Sequence, residues 1–166
     1  MKNQMILRRA VYSILIGLMS TSSFSLAGEK IIWREFGEGV ALAAKTKKKI
    51  IIDVYTEWCG WCKTMDAKTY ANGDVAKYLN QHYVAVKLNA ESADKIVYDG
   101  ESMSKQEFSS AFGISGFPST LFLNTDGKPI TIYPGYAEPD MFKDILRYVA
   151  EDHYASISFN QFREKK

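Results

Sequence analysis

Histidine and cysteine are scarce in this chain, with two of each in 166 residues. So few metal-ligating side chains exclude a histidine-rich or multi-zinc protein, and two cysteines exclude a disulfide-dense secreted scaffold. Four prolines and eleven glycines, with no internal repeat or low-complexity tract, exclude the fibrous and disordered classes. Long apolar runs are missing as well. The block Ala10 to Met19 falls short of the ~20 residues that a membrane span needs. What remains has the length and composition of one well-cored globular domain.

The first 27 residues read differently from the rest. Lys2, Arg8 and Arg9 precede the apolar block, and "SLAG" follows it with Ser25 and Ala27 where a signal peptidase reads small residues. Residues 1–27 are therefore expected to be a signal peptide, 28–153 the folded domain and 154–166 a tail. An uncleaved membrane anchor is the competing reading, and the short apolar block speaks against it. The absence of a cysteine near the cleavage site argues against a lipoprotein. Cleavage takes three basic residues and no acids, so 21 basic against 19 acidic becomes 18 against 19. The mature chain is close to neutral, which gives no indication of nucleic acid. Lys45, Lys47, Lys48 and Lys49 are then expected to be a solvated helix end. Export implies a periplasmic protein, or a secreted one where there is no outer membrane.

Both cysteines lie in "DVYTEWCGWCKTMD", separated only by Gly60 and Trp61. A structural zinc site needs about four ligands, and the remaining candidates, His82 and His153, stand far apart at predicted helix ends. Haem attachment fails because Lys63 occupies the histidine position. As a staple, a Cys59–Cys62 bridge encloses almost no loop and removes little unfolded-state entropy. A redox pair fits better. Cys59 falls at the start of a predicted helix, where unpaired amides favour a thiolate, and Cys62 lies one turn along the same face. Cys59 would attack a substrate disulfide and Cys62 would resolve the mixed disulfide. Trp58 and Trp61 would flank an exposed sulfur, or simply pack.

The pattern along the chain places this pair. "EFGEGVALAAKTKKK" predicts an amphipathic helix with Phe36, Val40, Ala43 and Ala44 inward. "KIIIDVYT" and "YVAVKLN" predict buried strands. Between them "TMDAKTY" reads as helix, broken at Asn72-Gly73 and continued behind an Asp74 cap. The polar stretch from 89 to 104 reads as a loop or insertion. "SKQE" is a capping box opening the next helix. "FPSTLFLNTDGKPITIYPG" predicts a hairpin turning at Asp126-Gly127. The last main helix has Pro139 in its first turn and Met141, Phe142, Ile145, Leu146 and Val149 inward, and the tail adds a short helix. A strand–helix–strand crossover followed by a hairpin makes an α/β fold with a mixed central sheet and helices on both faces.

"DVYTEWCGWCK" resembles the active-site segment of the thioredoxin superfamily, and the resemblance continues in order through most of the mature chain. Asp53, six residues before Cys59, matches the family's buried aspartate, and Lys87 in "VKLN" matches the lysine beside it. "GISGFPST" resembles the cis-proline segment, which makes Pro118 the cis residue, and "YPGY" supplies Gly135. The resemblance implies a thioredoxin-like fold, with Cys59, Cys62, Asp53 and Lys87 catalytic and Trp58, Gly60, Trp61, Phe117 and Pro118 contacting substrate. Asp53 would exchange the proton of Cys62, or else be a satisfied structural acid; desolvation should leave its carboxyl neutral near pH 7.

There are departures too: a Gly-Trp dipeptide, Ala67 in place of a kinking proline, and the long 89–104 stretch. With the exported N-terminus they resemble the secreted thioredoxin-related proteins, including periplasmic disulfide-reductase domains and sulfur-oxidation thioredoxins. The expected activity is reduction of protein or small-molecule disulfides, with no cofactor beyond the Cys59–Cys62 pair and no metal. A membrane donor of the thiol-reducing type would recharge a monomeric protein. Alternatives are an oxidase or isomerase of the same fold, or a non-catalytic binding module.

Overall fold

A computed structural model describes residues 28–165. The signal peptide expected at 1–27 lies outside the described residues.

A five-stranded sheet in the order β1-β3-β2-β6-β7 forms the centre. Its strands are β1 (Trp33–Arg34), β2 (Lys49–Tyr55), β3 (Tyr83–Asn89), β6 (Ser119–Leu123) and β7 (Pro129–Pro134). β2 pairs parallel with β3 and antiparallel with β6. The run "KIIIDVY" takes the central position because its β-branched side chains are buried on both faces.

Strand alternation sorts the core into two halves. Ile50, Ile52 and Val54 face α1 (Phe36–Thr46) and α4 (Lys105–Ala111), packing with Phe36 and Phe108. Ile51, in the opposite register, meets Met65, Leu79 and Phe142 from α2 (Gly60–Met65), α3 (Gly73–His82) and α5 (Pro139–Ala150). Asp53 shares the parity of Ile51, so it faces the helix that carries the cysteines.

Several local expectations change. Ala44 is exposed, and Gly39 takes the inward place in α1. A Cβ at Gly39 would overlap the Val86 side chain, so the glycine lets α1 lie close on β3. The cap of α3 is Asn72, whose side chain accepts from the amides of Asp74 and Val75; Asp74 is already inside the first turn.

The 89–104 stretch is not a simple loop. It folds into a separate hairpin of β4 (Lys95–Tyr98) and β5 (Glu101–Ser104), with Asp99 and Gly100 both at positive φ in the turn. Ser104 and Glu107 form the expected capping box of α4. Met141 is only half-buried in α5, while Asp144 is buried. The tail forms α6 (Phe159–Glu164), which packs on α5 through Tyr148, Phe159 and Phe162.

Lys49 also departs from the solvated lysine cluster. Its ammonium donates to the carbonyls of Val149 and Ala150 at 2.9 and 3.1 Å and pairs with Asp152 at 2.6 Å. It thereby neutralises the C-terminal end of α5.

Candidate redox site

The chain leaves β2 at Tyr55, makes a short turn and enters α2, and the two cysteines sit at that junction. They are joined as a disulfide with Cα atoms 5.3 Å apart. Cys59 is the N-cap of α2: its backbone is extended, and its Sγ accepts from the Cys62 amide at 3.0 Å. α2 passes directly into a π-helical turn, Asp66–Tyr70, so the helical run beginning at Gly60 is longer than its α segment.

Cys59 is not the exposed sulfur expected from sequence. Cys59 and Cys62 are 3% and 5% exposed, whereas Trp58 and Trp61 are 68% and 62% exposed. The tryptophans therefore form the outward surface and the disulfide lies between and beneath them. Trp58 donates its indole N–H to Glu91 at 2.9 Å and meets Phe117 edge-on. Trp61 lies 5.4 Å from the Tyr136 ring. Gly60, between the cysteines, is exposed.

The loop before β6 completes the rim. The Phe117–Pro118 peptide is cis, Pro118 is buried and Phe117 half-buried. The amide of Gly135 donates to the Pro118 carbonyl at 2.8 Å, and Gly135 has φ of 88°, a conformation that a side chain would disfavour. A shallow groove runs from this loop along Ile132 and Pro134.

Behind the disulfide helix a polar row crosses the apolar sheet face. Register places Asp53 opposite Lys87 on β3 and opposite Thr120 on β6. Lys87 Nζ is 3.7 Å from Asp53 Oδ2 but makes its tighter pair with Asp66 on the π turn. The rings of Trp33, Tyr55 and Tyr70 surround the same ammonium within 5.2–5.9 Å. Lys87 is thus shared between a buried and a half-exposed carboxylate inside an aromatic cage.

Burial pushes the Asp53 carboxyl up to about 6; the Lys87 charge limits the rise, the Asp66 charge adds to it, and the Tyr70 hydroxyl and the Lys87 ammonium limit it further as hydrogen-bond donors. Asp53 is thus raised toward neutral pH, in the direction that desolvation predicts, with Lys87 keeping its carboxylate accessible. As a carboxylate it can accept a thiol proton.

Asp66, Tyr70, Thr120 and Glu91 were not legible as site residues. Tyr70 reaches the site through the π turn, which shifts the helical phase, and Asp66 joins it by pairing with Lys87 across the fold. Glu91 arrives at the start of the 89–104 insertion. His82 stacks on Tyr78 and His153 contacts Glu151, so neither lies with the cysteines.

A Cys-X-X-Cys disulfide capping a helix at the end of a central strand, opposite a cis-proline loop, defines a redox protein of thioredoxin fold. A family model described as a thioredoxin-like domain matches residues 36–150, and the chain belongs to that family. It is 31% identical over 98 residues to a thioredoxin of Borreliella burgdorferi, covering 58% of this chain and 69% of that one. It is 29% identical over 97 residues to the thiol:disulfide interchange protein DsbD of Vibrio vulnificus, covering 58% of this chain. A solved structure named DsbH oxidoreductase superposes with a TM-score of 0.62 at 16% identity, covering 87% of this chain and 98% of that one. The matched stretch is only 14–15% of the length of the longer curated relatives, DsbD and a Caenorhabditis elegans protein.

Proposed function

We propose that this protein is an exported thiol–disulfide oxidoreductase working as a reductase, with Cys59 as the attacking thiol. The observation that carries the reading is the Cys62 amide aimed at Cys59 Sγ across 3.0 Å. The same N–H favours negative charge on that sulfur once the pair is reduced.

The reaction balances as two displacements. Cys59 thiolate attacks a substrate disulfide, forming a mixed disulfide and releasing one substrate thiolate. Asp53 carboxylate takes the Cys62 proton, and Cys62 thiolate then attacks Cys59 Sγ. The second substrate thiolate leaves. The substrate gains two electrons and, on protonation of both thiolates, two protons, and the protein is left with its Cys59–Cys62 disulfide. Lys87 holds the charge of Asp53, and Trp58, Gly60, Trp61, Phe117 and Pro118 form the surface that meets the substrate.

Direction and place are inferred from the sequence. No histidine stands between the cysteines to stabilise a thiolate strongly, and Glu57 and Asp53 add negative charge, which favours the reducing direction. The N-terminal pattern supports a periplasmic location, and likeness to DsbD supports a membrane thiol donor that returns the disulfide to dithiol. The protein acts as a monomer without prosthetic group, metal or nucleic acid.

The test is catalysed reduction of insulin by a dithiol donor. Turnover should disappear in Cys59→Ser, and Cys62→Ser should accumulate mixed disulfides that identify the partner. A protein that never turned over insulin would instead be a binding module, and net oxidation of dithiols would reverse the assignment.

A further inference from the structure

The buried acid has an unassigned companion. Asp53 Oδ1, Tyr70 Oη and Thr120 Oγ1 are all buried without a hydrogen bond of ordinary geometry, and the Tyr70 hydroxyl lies close enough to both Asp53 and Thr120 to interact with each. They come from three separate elements: the middle of β2, the π turn after α2 and the facing position on β6. Leaving three hydroxyl or carboxyl oxygens without such bonds in an apolar core costs stability, so their convergence needs a reason. Nor is Tyr70 there for want of a partner ring. Its ring packs edge-on against Trp33 and Phe142, contacts that a phenylalanine would make equally well. The hydroxyl is the part that packing does not explain.

We propose that Tyr70 is a positioning residue for Asp53, its hydroxyl donating to the carboxylate when Asp53 is ionised and turning to Thr120 Oγ1 when Asp53 is protonated. The tyrosine itself never loses its proton. Burial, with Asp53 beside it, holds its hydroxyl well above the ordinary tyrosine range. The other charges facing Asp53 are Lys87 from β3 and Asp66 from the π turn, with Tyr55 on the same strand. Lys87 favours the carboxylate and Asp66 opposes it, so the rotating hydroxyl is the neutral element that can serve both states. In the resolving step Asp53 gains the Cys62 proton. Tyr70 is then released toward Thr120, and no charge is left without a partner.

The inference rests on the reading that Asp53 exchanges a proton with Cys62. Its test follows the Asp53 carboxyl carbon by NMR in the oxidised protein, where neither cysteine titrates. Tyr70→Phe removes one donor to the ionised form, so the Asp53 midpoint should rise by about one pH unit. The acid limb of insulin-reductase turnover should move by the same amount, and Tyr70→Phe should move nothing further in an Asp53→Asn background. An unmoved Asp53 midpoint overturns the role of Tyr70 while leaving that of Asp53 intact. A moved midpoint with an unmoved turnover profile overturns both. Should Tyr70→Phe fail to fold, the wild type suffices. The Tyr70 Cζ shift must follow the Asp53 midpoint, and a flat signal sinks the inference.

Discussion

The backbone N–H of Cys62 donates to Cys59 Sγ across 3.0 Å, so the resolving residue also polarises the attacking one. Both sulfurs are nearly buried, and exposure does not distinguish them. The hydrogen bond does. After reduction, Cys59 should carry the thiolate and Cys62 the proton. Alkylation near pH 7 should modify Cys59 about tenfold faster than Cys62. Mass spectrometry of partly labelled protein checks this, and equal rates would reassign the nucleophile.

The bridge closes a very short loop, which limits what it adds to stability. Chain entropy for a loop of this size contributes about 2 kcal/mol at most. The oxidised form should therefore be the more stable by about 1–2 kcal/mol in denaturant titration. That order makes the dithiol a ready electron donor, because the state it becomes is the favoured one. A reduced form favoured by several kcal/mol would make the protein an oxidant and exclude the reductase reading.

The sheet was legible in detail where its strands are long. "YVAVKLN" forms β3 over the residues that its pattern predicts, because continuous burial leaves little freedom in register. β1, with two residues, has no pattern of its own and exists through pairing with Ala85 and Val86. The β4–β5 hairpin did carry a signal. Asp99-Gly100 is the turn pair that two positive φ values demand, hidden within a polar stretch. Asp53 and Lys87 were readable as an acid and a base in buried strands. Tyr70 was not, because a π turn breaks the 3.6-residue period on which its facing would be judged, and Asp66 was not, because its pairing with Lys87 is made across the fold and has no local pattern.

Trp58 presents the largest apolar surface next to the disulfide and is held by Glu91 and Phe117. A protein substrate would cover this ring, whereas a small disulfide would not need it. Trp58→Ala should raise KM for insulin several-fold and leave kcat nearly unchanged. Glu91→Gln keeps an acceptor for the indole and should behave like wild type. An equal loss toward insulin and a small aromatic disulfide would place Trp58 in the chemistry instead.

Lys49 ties the start of β2 to the end of α5 through two carbonyls and Asp152. Its side chain is largely covered, so the charge is only weakly screened. Lys49→Met should keep the stem packing and lose the charged hydrogen bonds, costing about 1–2 kcal/mol. Redox turnover at 25 °C should be unaffected. A denaturant midpoint equal to wild type would mean that water replaces the ammonium without loss.

Asp53 opposes stability for the same reason that it can serve the reaction. Its carboxyl titrates at about 6 in the folded protein against 3.8 as a free side chain, so the folded state binds the proton more tightly than the unfolded one. Stability attributable to this group is then full below about pH 4, falls as pH rises toward 6, and stays low above it. Asp53→Asn removes the titration and should gain about 1–3 kcal/mol at pH 7, part of the possible gain being lost because Lys87 keeps only Asp66. Below pH 4 the gain should vanish, which denaturant melts at pH 3.5 and 7 will check. Turnover should move the other way. With no carboxylate to receive the Cys62 proton, the resolving step should slow several-fold while the first attack by Cys59 keeps its rate. Stopped-flow reduction of a model disulfide from pH 6 to 9 separates the two phases. Identical profiles for wild type and Asp53→Asn would send the proton to solvent and reduce Asp53 to a structural acid.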